Sequence, residues 1–184
     1  MTITDVEGFL ASGVASGIKN NKELDLALVT TEGQQPVSAA AVFTSNKMTA
    51  APVLVSRKHL EITGGAASTV VLNSGNANAA TGEQGLLDAE RMCQLTAQGL
   101  GCESSEVLVC STGWIGYPLP MEEVTYGIKS AIDSLKDDQG AAAAKAIMTT
   151  DTVPKNTLVK AKGFSVGGIS KGAAMLQPNM ATML

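Results

Sequence analysis

Glu106-Val-Leu-Val-Cys-Ser-Thr-Gly-Trp-Ile-Gly116 is the stretch on which the reading of this chain turns. Residues 107–110 are an apolar, valine-rich run, and polar residues and glycine follow at once. Such a run reads as a β-strand, from Glu106 to Cys110, with a polar turn at its carboxyl end. Backbone N–H groups at a turn of this kind can converge on an oxygen anion. Gly113 lets a partner atom approach its N–H closely, and Thr112 adds a hydroxyl donor. The chemistry that needs this combination is an oxyanion hole, which stabilises charge developing in a transition state. The same residues also suit an ordinary strand-ending turn or a helix cap.

On either side of this stretch, strands and helices interleave. Leu26 to Thr30, Ala39 to Thr44, Pro52 to Ser56 and Ser68 to Asn73 are expected strands, bounded by Gly, Asn or Pro. A helix is expected over Gly85 to Leu100, where Leu86, Ala89, Cys93, Ala97 and Leu100 recur at spacings of three and four. A second starts at Pro120, with Glu122 and Glu123 in its first turn and Val124, Ile128, Ala131, Ile132 and Leu135 on one face. A third begins near Asp138 and runs through the alanines to Met148. Two more strands are expected near Leu158 and Ser165, followed by a Gly-rich turn. The interleaved order predicts an α/β protein of the α+β type.

The chain has 184 residues, 45% of them apolar and 16% charged, which suits one domain or a large piece of one. Aromatics are 3% and glycines number 19, so the core must be built from Ala, Val, Ile, Leu and Met with close backbone contacts. A net charge of −4 leaves no basic footprint for nucleic acid and no polybasic attraction to a membrane. No apolar run approaches the roughly 18 residues that span a bilayer. Cys93, Cys102 and Cys110 form no C-x-x-C pair and His59 is remote, so no metal site is expected. Unpaired thiols without a leader-like segment point to a reducing compartment. Cys93 and Cys110 read as packing residues. The apolar stretch from Lys171 to Leu184 is expected to be covered by a further part of the protein, as a second chain or the rest of a precursor.

Four other segments carry potential chemistry. Met148-Thr-Thr-Asp151 follows a helix and can either bind a substrate's polar atoms or close the helix. In Gly167-Gly-Ile-Ser-Lys-Gly172, Lys171 can present its ammonium to a carboxylate or simply sit in solvent. The spacing is not that of a phosphate loop. Pro178-Asn-Met-Ala-Thr-Met-Leu184 holds a lone Thr182 behind the small Ala181. A threonine hydroxyl is a poor nucleophile without a base, and its own α-amine can be that base once chain cleavage frees it. Asn73-Ser-Gly-Asn-Ala-Asn78 reads either as a turn with local side-chain bonds or as a polar site wall.

In order, Asn73 to Gly82, Cys110 to Gly116, Leu119-Pro-Met121, Ala146 to Asp151, Lys171-Gly172 and Met180-Ala-Thr-Met-Leu184 closely resemble the ornithine acetyltransferase family of the cyclic arginine pathway. The likeness runs from Gly13 to the last residue. It implies a precursor that cuts itself between Ala181 and Thr182, making residues 1–181 an α-chain portion and 182–184 the start of a β chain. It implies Thr182 as nucleophile, Thr112 and Gly113 as oxyanion hole, and Thr149, Lys171 and Thr182 as substrate-binding residues. The implied reaction moves acetyl from N2-acetyl-L-ornithine to L-glutamate through an acetyl-threonine, and some members also use acetyl-CoA. No cofactor or metal is called for, and a cytoplasmic α2β2 heterotetramer is the implied assembly. The implied fold is a layered sandwich of sheets and helices of the self-processing DmpA/ornithine acetyltransferase type, completed by the β chain. A mature α chain would end at Ala181, three residues before this sequence does. A self-processing aminopeptidase of related fold is the rival reading, and a non-catalytic domain holding a small amino acid is a third.

Overall fold

The valine-rich run does form a strand, and that strand continues through the residues expected to turn. It spans Val107–Trp114, so Ser111, Thr112 and Gly113 are strand residues and the turn starts beyond them. The computed structural model describes residues 1–175 and 183–184. Their order is β1 (Phe9–Val14), β2 (Leu26–Thr31), β3 (Val37–Ser38), α1 (Ala51–Ile62), β4 (Ala66–Ala67), β5 (Thr69–Asn76), α2 (Gly82–Leu100), β6 (Val107–Trp114), α3 (Met121–Asp133), α4 (Gly140–Ala146), β7 (Lys155–Ala161) and β8 (Phe164–Ser170). The expected mixture of sheets and helices is therefore what the chain adopts.

β1, β2, β5 and β6 form one sheet in that order. The first two pairings are antiparallel and β5–β6 is parallel, with α2 as the crossover that a parallel pair needs. Side chains alternate across the sheet, so each strand feeds two cores. On one face Leu26, Leu28, Val71, Val107 and Val109 pack against Val55 of α1, Met92 and Cys93 of α2, and Val124 and Ile128 of α3. On the other, Ala11, Ala27 and Leu72 meet Ala143 and Ala146 of α4 and Ile147. This second layer is thin because its residues are small. At Gly13 an added Cβ would lie 2.3 Å from the Ala142 carbonyl oxygen, so only glycine lets α4 come this close to β1.

Several elements differ from expectation for identifiable reasons. Pro52 to Ser56 belongs to α1 rather than to a strand. Proline is favoured at a helix start, and the buried Pro52, Val55, Ser56 and His59 recur at helical spacing. Ala39 to Thr44 forms no strand. Only Val37–Ser38 pairs there, and the apolar segment that follows finds no strand to pair with and leaves Val42 exposed. β1 was not expected, because Ser12 and Gly13 dilute its apolar pattern. Gly167 and Gly168 lie within β8 instead of forming a turn, opposite Leu158 and Thr157 of β7. α2 and α3 stand where periodicity put them, and Pro120 caps α3 from just outside. α4 is shorter than the alanine run suggested.

Replacing Gly13 by Ala should lower the stability of the full-length protein by roughly 1–3 kcal/mol, the usual cost of overpacking. A denaturant midpoint equal to that of the unaltered protein would show that α4 is free to move off the sheet.

Candidate active site

β6 is an edge strand among the described residues, and its outer edge is only half covered. The lower half is sealed by α1. The Ser56 hydroxyl donates to the Val109 carbonyl (2.7 Å) and accepts from the Val109 N–H (2.9 Å), standing in for a neighbouring strand. His59 Nδ1 lies 2.8 Å from the Val107 carbonyl, and its Nε2 lies 3.2 Å from Glu90. Backbone groups face the same edge every second residue. Ser111 and Gly113 are therefore next along it, beyond the reach of α1. There the edge opens on a cavity of about 1080 Å³, lined by Ser111, Thr112 and Gly113 among others. The Ser111 hydroxyl is buried and has no partner among the described residues.

The backbone at this opening is unusual. Gly113 has φ +136°, and a Cβ on it would lie 2.3 Å from the Gly75 carbonyl carbon of β5. Both geometry and space thus demand glycine. The register of β5 against β6 slips at Asn76, a bulge that re-aims the strand ends. The asparagines at the end of β5 and just beyond it fix this arrangement. Asn73 donates to the Asn76 carbonyl (2.8 Å), and Asn76 donates to the carbonyls of Tyr117 (3.2 Å) and Pro118 (2.9 Å). Asn78 donates to the Gly85 carbonyl (2.8 Å). Of their two expected roles, these bonds assign them the structural one.

Lys171 is not a surface lysine. It is 6% exposed, and its ammonium donates to the Thr112 hydroxyl at 3.0 Å. With its oxygen accepting from Lys171, Thr112 keeps its own O–H proton to donate into the cavity. Thr149 and Thr150 line the same space, as do Met183 and Leu184, and the Lys171 N–H donates to the Leu184 carbonyl (3.0 Å). Four residues expected at a site, Thr112, Gly113, Thr149 and Lys171, therefore meet around one cavity. Ala181 and Thr182 lie outside the described residues.

Asp151 organises the cation side. Its carboxylate, fully enclosed, accepts from the N–H groups of Thr149 (3.2 Å) and Gly172 (2.8 Å) and pairs with Lys155. Desolvation raises its pKa, but the bonds from Lys155, Gly172 and Thr149 outweigh it and bring the value down to about 2. Burial lowers the pKa of Lys171, nearby Asp151 opposes this, and the charges of Lys155 and Lys19 add to the lowering. Lys19 was not expected in the site, yet it lines the cavity. Its ammonium donates to the carbonyls of Leu24 (3.0 Å) and Met148 (2.8 Å). The only sequence signal for it was its place in a loop ending Ser16-Gly-Ile-Lys19. Cys110 also lines the cavity, and burial pushes its thiol up to about 11. Cys93 is fully buried on the inner face of α2.

Residues 10–184 match the ArgJ family. This chain belongs to the ArgJ family. It is 49% identical over its whole length to the arginine biosynthesis bifunctional protein ArgJ of Streptomyces avermitilis, and covers 47% of that protein. Against ArgJ of Caldanaerobacter subterraneus the identity is 50%, over 97% of this chain and 44% of the relative. The chain thus spans about half the length of the curated ArgJ relatives it matches. Among solved structures, ornithine acetyltransferase of Mycobacterium tuberculosis, complexed with ornithine, superposes with a TM-score of 0.91 at 42% identity, over 100% of this chain and 96% of that one. The ArgJ structure of Bacillus halodurans gives a TM-score of 0.86 at 38% identity, over 100% of this chain and 95% of that one. The layered fold expected from the motifs is the fold of these proteins.

Because the folded-state pKa of Asp151 is depressed, its contribution to stability is complete above the ordinary carboxylate range and is lost as pH falls from about 4 toward about 2. The stability difference between the unaltered protein and Asp151→Asn should therefore be largest near neutrality and shrink over that interval. A difference independent of pH would show that the charge of Asp151 is not what holds Thr149 and Gly172.

Proposed function

We propose that this chain is the α-chain portion of a self-cleaving acetyltransferase, which moves acetyl from N2-acetyl-L-ornithine to L-glutamate. Residues 1–181 form that portion, and Thr182 heads the β chain after scission of the Ala181–Thr182 bond. The observation that carries this reading is the 3.0 Å bond from the buried Lys171 ammonium to the Thr112 hydroxyl, in a cavity shared with Gly113 and Thr149. It joins a cation suited to an α-carboxylate with a donor suited to an oxyanion. The placement of Met183 and Leu184 against the same cavity favours Thr182 as the reacting residue. The likeness to a structure described as an ornithine complex points to the substrate class. A solved chain matched over 96% of its length, beside full-length relatives matched over about half, is what a precursor divided into two chains would give.

In the first half-reaction the Thr182 hydroxyl gives its proton to the Thr182 amine and attacks the acetyl carbonyl. Thr112 and Gly113 hold the oxyanion. The C–N bond breaks, the proton passes to the departing nitrogen, and ornithine leaves an acetyl ester on Thr182. The amine of glutamate then attacks that ester, Thr182 recovers its proton, and N-acetyl-L-glutamate leaves. Exchange through a covalent intermediate gives ping-pong kinetics. The further partners in this reading are the chain's own β portion in a cytoplasmic α2β2 assembly, and acetyl-CoA as an additional donor. No helix among the described residues is long and apolar enough to cross a membrane.

Mass spectrometry of the full-length product, incubated with N-acetylornithine, should find a β chain beginning at Thr182 and carrying one acetyl group. An intact chain in fully active material, or an acetyl group on another side chain, would end this reading. Thr182→Ala should abolish both scission and exchange. Thr112→Ala should slow exchange by roughly 10²–10³, the usual loss for one oxyanion donor. Unchanged turnover in that variant would put the oxyanion hole elsewhere.

A further inference from the structure

We propose that Lys19 is a specificity-determining residue of this site, its ammonium binding the second carboxylate of a dicarboxylic amino acid that enters as acetyl acceptor. The proposal rests on the acetyl-transfer reading above and adds to it the basis for choosing the acceptor.

Lys19 and Lys171 line one cavity, and Lys19 is close enough to help depress the proton affinity of Lys171. The Lys171 side chain is buried and that of Lys19 is half-buried. Among the described residues no carboxylate lies within ion-pair distance of either one. The two buried carboxylates nearby are already committed, and Glu23 acts on Lys19 only as a nearby charge. Asp25 is fully buried and accepts from the Ser16 N–H (2.6 Å), the Ser16 hydroxyl (2.7 Å), the Gly17 N–H (3.2 Å) and the Lys19 N–H (2.9 Å). Asp151 is held by Lys155, Gly172 and Thr149. Glu23 lines the cavity but stands exposed in solvent.

Two partly desolvated ammonium groups with no carboxylate in ion-pair contact are costly, and an anionic ligand relieves that cost. A ligand with a single carboxylate satisfies one of them. A ligand with two satisfies both. N-acetylornithine carries one carboxylate and a cationic side chain, whereas glutamate carries two carboxylates. Lys19 thus favours glutamate over departed ornithine at the acetylated site, attracting one side chain and repelling the other. Its position is prepared in advance. Asp25 clamps the backbone from Ser16 to Lys19, and the bond to the Met148 carbonyl ties the ammonium to the residue preceding Thr149. An ammonium has three donors, and two carbonyls leave one for a ligand.

The test uses the processed full-length protein with Lys19→Met and Lys19→Arg. Rapid mixing with N-acetylornithine measures ornithine release in the first half-reaction, and steady-state rates with glutamate and with uncharged glutamine measure the second. Lys19→Met should raise KM for glutamate roughly 10- to 100-fold, the effect of losing one charge-assisted bond. It should lower the glutamate-to-glutamine preference by a similar factor without slowing the ornithine burst, because the cationic side chain of N-acetylornithine gains nothing from Lys19. Lys19→Arg should keep most of the preference. An equal loss in both half-reactions, or an unchanged preference in both variants, would overturn the proposal and leave Lys19 as a tie between two loops. Unaltered protein that releases no burst of ornithine would instead overturn the acetyl-transfer reading beneath it.

Discussion

The Ser56 hydroxyl bonded to both backbone groups of Val109 marks the point where the sheet stops being closed. Below it α1 serves as a substitute neighbour for β6. Above it nothing in the described chain does, and the edge becomes a wall of the cavity. An uncovered edge strand invites unwanted pairing, so it is ordinarily capped, charged or twisted away. Here the bulge at Asn76 and the glycine contact between β5 and β6 turn the open end into a defined shape. The placement of Thr112, of the Gly113 N–H and of Lys171 all follows from that half-covered edge.

The second governing feature is how charge is distributed behind the edge. The buried carboxylates Asp25 and Asp151 are saturated by backbone donors, Ser16 and Lys155, while the hydrogen bonds of the Lys19 and Lys171 ammonium groups go to neutral oxygens. A protein interior tolerates such an imbalance poorly unless a ligand or another chain restores it. The loops that create it are therefore fixed tightly. Asp25 gathers four donors, and Asp151 ties Thr149, before β7, to Gly172, after β8.

Much of this was legible in the residues, for reasons that differ from element to element. α2 and α3 have long apolar faces at a period that survives polar interruptions, and both formed where that period placed them. Thr112, Gly113 and Lys171 were weighed from local sequence and Thr149 was singled out by the family resemblance, and the fold brings all four to one cavity. α1 was misread because five residues with a leading proline and a valine pair fit a strand as well as a helix, and only the later burial of His59 shows the period. β1 was missed because Gly13 serves its contact with α4 and not its own strand propensity. Lys19 and Ser56 could not be assigned from sequence at all. Their roles depend on Met148 and Val109, which are distant in the chain and meet only in the folded sheet.

Cys110 shows how the cavity protects its own chemistry. Two residues before Thr112, it lines the space where an acyl group would be handed over, and sulfur attacks carbonyls more readily than oxygen does once it is ionised. With its thiol pushed up to about 11, almost none is ionised at neutral pH. A sulfur nucleophile two residues from Thr112 is thereby held in its protonated, unreactive form.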